Sequence, residues 1–190
     1  AILVTADGEL ITGATRAPGQ AHAEKVAIER AGDRAAGATM YVTLEPCAHH
    51  GRTPPCTEAI IAAGLARIVV GVLDPDPRTD GTGVEALRAA GITVDVGVVA
   101  DKVEAQLAPY LHQRRTGRPF VVLKLAASLD GYTAAPGGSS KWITGPASRS
   151  DGHRLRAESD AIIVGAQTVR NDDPNLTVRD WQPPTGAHPE

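Results

Sequence analysis

Residues 22–24 read H-A-E and residues 45–56 read E-P-C-A-H-H-G-R-T-P-P-C, and the rest of the chain is arranged around these two segments. Cys47 and Cys56 are the only cysteines in 190 residues, and both fall inside this pattern. One imidazole (His22) and two thiolates (Cys47, Cys56) make a three-ligand zinc set, which leaves a tetrahedral Zn²⁺ one position for water. A structural zinc site would be closed by a fourth protein ligand. Glu24, two residues after His22, is placed to move protons to and from that water, so it is the expected catalytic residue. The bland alternative is a pair of buried, inert thiols, or a disulfide in an oxidising compartment. The H-A-E upstream and the proline before Cys47 weigh against it.

Local signals fit the metal reading. C-T-E-A-I-I-A-A-G-L (56–65) reads as a short helix closed by Gly64, after Pro54 and Pro55. A cysteine at a helix start feels the positive end of the dipole, so Cys56 is expected to favour thiolate. A helix also begins near His22. Positions i and i+2 do not share a helix face, so His22 and Glu24 can converge only beyond the helix end.

Strand and helix patterns alternate outward from this centre. A-I-L-V-T-A (1–6) and E-L-I-T-G-A (9–14) flank an Asp7-Gly8 hairpin signal. A helix over 22–31, a strand over 39–44, the helix after Cys56 and a continuous apolar strand over 66–72 follow. D-P-D-P-R-T-D-G-T-G is a long turn before a helix over 84–90 and a strand over 92–98. The pattern predicts an α/β sheet covered on both faces. Residues 101–117 read as a connecting helix, and the domain boundary is expected near 115–119, giving domains 1–116 and 117–190. Beyond it, F-V-V-L-K-L-A-A-S-L-D-G (120–131) and D-A-I-I-V-G-A (160–166) read as strands, with a helix over roughly 146–157. Lys124 is a lone charge on an apolar strand, where it is costly unless it points into a site. Residues 182–190 form a polar, Pro-rich tail.

Composition narrows the partners. The hydrophobic share of 42% supports a core, and aromatics at 3% make it aliphatic. A net charge of −3 without a basic cluster argues against nucleic acid. No apolar run reaches membrane-spanning length and no signal peptide is visible. Free thiols as metal ligands suit a cytoplasmic location. A chain that opens mid-strand at Ala1 reads as a fragment.

H-x-E followed by P-C and a second cysteine, with a non-ligating Glu, is the pattern of zinc nucleobase deaminases, here with eight residues between the cysteines instead of two. C-A-H-H-G-R-T-P-P-C (47–56), D-P-D-P (74–77), K-L-A-A-S-L-D-G (124–131), S-K-W-I-T (140–144) and V-G-A-Q-T-V-R-N-D-D-P-N-L-T-V-R (164–179) then occur in order. Together they resemble the bifunctional deaminase–reductase family of riboflavin biosynthesis, over about residues 1–180. The resemblance implies a cytidine-deaminase-like three-layer α/β/α domain, followed by the start of a dihydrofolate-reductase-like α/β domain. It implies removal of an exocyclic amine from a phosphoribosylated diaminopyrimidinone, then NADPH-dependent reduction of the ribosyl group to ribityl. It also implies Zn²⁺ and NADPH as cofactors and a homo-oligomeric assembly.

Carried over residue by residue, the family's deaminase substrate contacts fall on His49, Arg52, Asp74 and Asp76. Those of the reductase fall on Ser140, Trp142, Arg156, Asn175 and Arg179, with nucleotide contacts at Thr168 and Asp172. Each has a plainer reading: a loop histidine, a solvated arginine, Asp-Pro turns, a core tryptophan or surface ion pairs. The family usually has Asn where Asp76 stands, and the carboxylate loses the amide's donor capacity. His50 is expected to be a bystander. The family's opening helix and its P-N-P-x-V-G segment have no counterpart here, and the part resembling the reductase is too small for a full nucleotide cleft. The 190-residue chain is therefore expected not to turn over NADPH. A nucleoside or tRNA deaminase shares H-A-E and P-C but usually has the shorter cysteine spacing. A non-enzymatic zinc module would need a further ligand.

Overall fold

The computed structural model describes residues 1–182 and divides into two compact units, the first Ala1–Val121 and the second beginning at Val122. In the first unit, β1 (Ile2–Val4) and β2 (Leu10–Thr12) form the hairpin predicted from Asp7-Gly8, with Leu3 opposite Ile11. Gly8 takes a positive φ of 87° in its turn, a conformation that costs glycine little. The next elements are α1 (Ala23–Ala31), β3 (Thr39–Leu44), α2 (Cys56–Ala62), β4 (Arg67–Val72), α3 (Thr82–Ala89) and β5 (Thr93–Val96). The strand order is β2-β1-β3-β4-β5. β1 runs antiparallel to both its neighbours, whereas β3, β4 and β5 are parallel.

β4 is buried from Ile68 to Val72 because it is covered on both faces. On one face, Met40, Ile68 and Val70 join Ala27 and Ala31 of α1, Ile60 of α2 and Leu87 of α3 in a single aliphatic core. Burying each of the larger side chains contributes about 1.5–3 kcal/mol. On the other face lies α4 (Ala100–Gln106), close enough that a Cβ at Gly71 would sit 2.7 Å from Val103 Cγ2. The predicted single helix over 101–117 is instead two, α4 and α5 (Ala108–Thr116). Pro109, in the first turn of α5, has no N–H to continue the earlier ladder.

The second unit contains α6 (Pro146–Ala157), where a helix was predicted, and α7 (Ala166–Asp172). The strands expected over 120–131 and 160–166 are not formed among the described residues. Leu123 is 80% exposed and Ile163 95%. A strand is stabilised by pairing, and an apolar run with no partner strand has neither a hydrogen-bond ladder nor a surface to bury against. Lys124 is exposed as well, so no burial cost constrains where its charge points. Of the tail predicted over 182–190, all but Gln182 lies outside the described residues.

Candidate active site

The C-terminal ends of β3 and β4 and the N-termini of α1 and α2 meet at one edge of the first unit's sheet, where parallel sheets hold their ligands. His22 is the N-cap of α1, so its ring lies off the helix end, as its spacing from Glu24 requires. Its Nδ1 is 3.3 Å from Cys56 Sγ and 3.7 Å from Cys47 Sγ. The three donor atoms all lie within 4.8 Å of one another. A zinc tetrahedron with bonds of about 2.0–2.3 Å has edges of roughly 3.5–3.8 Å, so this donor set fits the ion. No other group of three or more His, Cys, Asp or Glu side chains among the described residues has such convergence.

The thiols differ electrostatically. Cys47 is lowered to about 5, first by its hydrogen bond with the Cys56 thiol, then by the Cys56 N–H, 3.3 Å from its sulfur, and by His22. Cys56 moves up, through the same hydrogen bond and through burial. The N–H at the start of α2 is aimed at the Cys47 sulfur, where it favours the Cys47 thiolate. A dication in the site would make thiolates of both. Glu24 is buried, and burial raises its pKa above the ordinary carboxylate value, with Cys47 adding to the rise.

His22, Glu24 and Cys47 line a cavity of about 680 Å³ that His49, Arg52, Asp74 and Asp76 also reach. His49 Nδ1 is 3.3 Å from Thr79 Oγ1. His50 turns outward and lies 3.2 Å from Glu58 on the exposed side. The Asp74 carboxylate accepts from the Asp76 N–H (2.9 Å) and from the Tyr110 hydroxyl (2.8 Å). Burial, then the Asp74 contact, pushes Tyr110 up to about 12. Asp76 is almost fully buried and takes Arg78 Nε and Nη2 at 3.0 and 2.7 Å, with Arg114 3.5 Å away. Its hydrogen bonds with Arg78 hold the carboxyl well below its ordinary value. The donors at this corner are guanidinium N–H groups where an amide would offer its own.

Four ionisable side chains that line the cavity escaped the sequence reading: Glu45, Arg78, Tyr110 and Arg114. Tyr110 and Arg114 are spaced i, i+4 on one face of α5, and the guanidinium lies 5.5 Å from the Tyr110 ring centre. That spacing was the available signal. For Glu45 it was a carboxylate just past the β3 run and two residues before Cys47.

The reductase-like positions are less convergent. Arg156 Nη1 and the Arg179 N–H both reach His153 Nδ1, at 3.2 and 3.0 Å, so the buried His153 gathers two of the predicted residues. The Arg179 guanidinium also caps the Asn175 and Thr177 turn. Trp142 is 72% exposed, with Arg149 over its ring at 4.6 Å. Ser140, Thr168 and Asp172 are exposed and are not drawn into one cluster.

Comparison with known proteins assigns the two units to related sources. The family model "Cytidine and deoxycytidylate deaminase zinc-binding region" matches residues 1–72, and "RibD C-terminal domain" matches 119–189. The chain is 49% identical over 178 residues to the riboflavin biosynthesis protein RibD of Escherichia coli K12, covering 93% of this chain and 48% of that protein. It is 49% identical over 181 residues to RibD of Mycobacterium tuberculosis H37Rv, covering 94% and 53%. Among solved structures, Acinetobacter baumannii RibD (form 1) aligns with a TM-score of 0.84 at 48% identity, covering 95% of this chain and 51% of that one. The diaminohydroxyphosphoribosylaminopyrimidine deaminase/5-amino-6-(5-phosphoribosylamino)uracil reductase of Thermotoga maritima aligns at 0.86 with 44% identity, covering 94% and 51%. The chain spans about half the length of the curated relatives it matches.

Proposed function

This chain belongs to the bifunctional deaminase–reductase family of riboflavin biosynthesis, and from that membership we propose that its first unit hydrolytically deaminates 2,5-diamino-6-(5-phosphoribosylamino)pyrimidin-4(3H)-one to 5-amino-6-(5-phosphoribosylamino)uracil. The observation that carries the reading is the convergence of the His22, Cys47 and Cys56 donor atoms, with His22 and Cys47 on the wall of a cavity that the buried Glu24 also lines. These three residues would hold Zn²⁺, which when bound supplies the Lewis acidity that makes water a competent nucleophile near neutral pH. Glu24 takes the proton of the attacking water and delivers it to the departing amine, which leaves as ammonia while the ring carbon keeps the oxygen. Its raised pKa suits both halves of that transfer.

His49, Arg52, Asp74 and Asp76 bind the substrate in this reading, with Arg52 offering a bidentate donor to the phosphate. The division falls at 116/117, and residues beyond it belong to the NADPH-dependent reductase step. There Ser140, Trp142, Arg156, Asn175 and Arg179 serve the substrate, and Thr168 and Asp172 the nucleotide. The partner is a small molecule, the location cytoplasmic and the assembly homo-oligomeric. No helix among the described residues is long and apolar enough to cross a membrane. The test is ammonia release from the phosphoribosylaminopyrimidinone, from cytidine and from adenosine in RNA. Release from the first alone is expected, and comparable release from cytidine would overturn the assignment.

A further inference from the structure

Glu45 is 3% exposed, lines the cavity wall, and is neither a zinc donor nor the proton carrier. Its Oε2 accepts the backbone N–H groups of Asp74 (3.2 Å) and Gly81 (3.0 Å), and its Oε1 accepts that of Val84 (3.0 Å). Both oxygens are thus committed to protein N–H groups. The residues tied down lie 29, 36 and 39 positions along the chain. They bracket the 74–81 loop and the first turn of α3. The loop carries Asp74 and Asp76, and Thr79, which is fully buried and touches His49. On the other side, Glu45 is two residues from Cys47.

We propose that Glu45 is a positioning residue that fixes the 74–81 loop over the cavity and thereby sets substrate affinity. The proposal rests on the deaminase reading above. A charged acceptor with three converging backbone donors holds a loop that contains Pro75, Pro77 and Gly81 and has no strand or helix of its own before α3. Without it, three inward-facing N–H groups lose their partner and the loop samples open arrangements. Apparent affinity then falls by the fraction of molecules in which the loop is in place. Substrate selects the ordered loop, so the bound complex reacts as before. The signature is therefore a raised KM with kcat retained.

The experiment compares the wild-type chain with Glu45→Gln and Glu45→Ala in zinc content, amide hydrogen exchange, and KM and kcat for the phosphoribosylaminopyrimidinone. Zinc is expected to stay at one ion per chain in all three. Exchange at Asp74, Gly81 and Val84 should accelerate by about 10-fold or more in Glu45→Ala, with KM rising about 10-fold and kcat within about 3-fold. Glu45→Gln keeps one accepting oxygen and should fall between. If Glu45→Ala does not fold, Glu45→Gln carries the same comparison. An unchanged KM, a lost kcat at constant KM, or zinc loss in step with faster exchange overturns the proposal. If the wild-type chain releases no ammonia, the deaminase reading is what fails. Exchange at the three amides then decides the role of Glu45, and unchanged rates overturn it.

Discussion

Adding one methyl group at Gly83 tests how tightly the start of α3 is seated on the E-P-C segment (45–47). A Cβ there would lie 2.0 Å from the Pro46 carbonyl oxygen, and 3.1 Å and 3.2 Å from Glu45 Oε1 and Cγ. The first contact is with backbone next to Cys47, so no side-chain rotation relieves it. Either α3 lifts or the E-P-C segment moves, by about 1 Å to reach the closest approach a Cβ makes. Overpacking of this kind costs about 1–3 kcal/mol, and pulling the Val84 N–H away from Glu45 adds roughly another 1. Helix propensity acts in the opposite direction, favouring alanine by up to about 1 kcal/mol. The net expectation for Gly83→Ala is a loss of about 1–3 kcal/mol, measured by urea unfolding of the zinc-loaded chain, together with weaker zinc retention against a chelator. Because propensity alone predicts stabilisation, the sign is decisive. An alanine variant as stable as the wild type, with zinc held equally well, would refute the close seating of α3.

Other substitutions separate the roles. Cys47→Ala should lose most of the zinc, whereas Glu24→Gln should keep it and lose turnover. Metal analysis and ammonia release decide this, and zinc loss in Glu24→Gln would contradict its role as proton carrier. The low pKa of Asp76 means that its pairing stabilises the fold above the ordinary carboxylate value near pH 4, and that this stability is lost as pH falls below it. Acid titration of Arg78→Ala should therefore show a shallower stability loss below about pH 4 than the wild type, and parallel curves would count against the pairing. The exposed apolar run containing Leu123 and Leu125 should make the chain self-associate. Replacing both residues with Lys should reduce light scattering at a given concentration, and an unchanged signal would place the sticky surface elsewhere.

The convergence of His22, Cys47 and Cys56 was legible because it rests on residue type and on positions within one window of 35 residues. The hairpin and the buried β4 were legible because their patterns depend on local turns and apolar runs. Glu45, Tyr110 and Arg114 were not, because the partners through which they matter lie 29 to 39 positions away in sequence. Arg78 could be read only as a turn residue until Asp76 was seen buried beside it. The second unit erred in the opposite direction. Its apolar runs carried a strand's composition, but a strand is a property of a pair, and one sequence segment cannot supply its own partner.

The two walls of the cavity come from different stretches of chain, and this sets an order of assembly. All three proposed zinc donors lie at or before residue 56, and the most distant pair, His22 and Cys56, is separated by 34 positions. The opposite wall waits for residues 74–84 and for Tyr110, which reaches Asp74 across 36 positions. During synthesis from the N-terminus, at roughly 5–20 residues per second, the metal donors therefore emerge several seconds ahead of the helix that completes the substrate side. Zinc capture can template the earlier half while the later one is still being made. In refolding from denaturant, a chromophoric zinc indicator should accordingly report uptake before the Asp74 and Val84 amides become protected. Simultaneous onset would mean that the metal enters only a finished site.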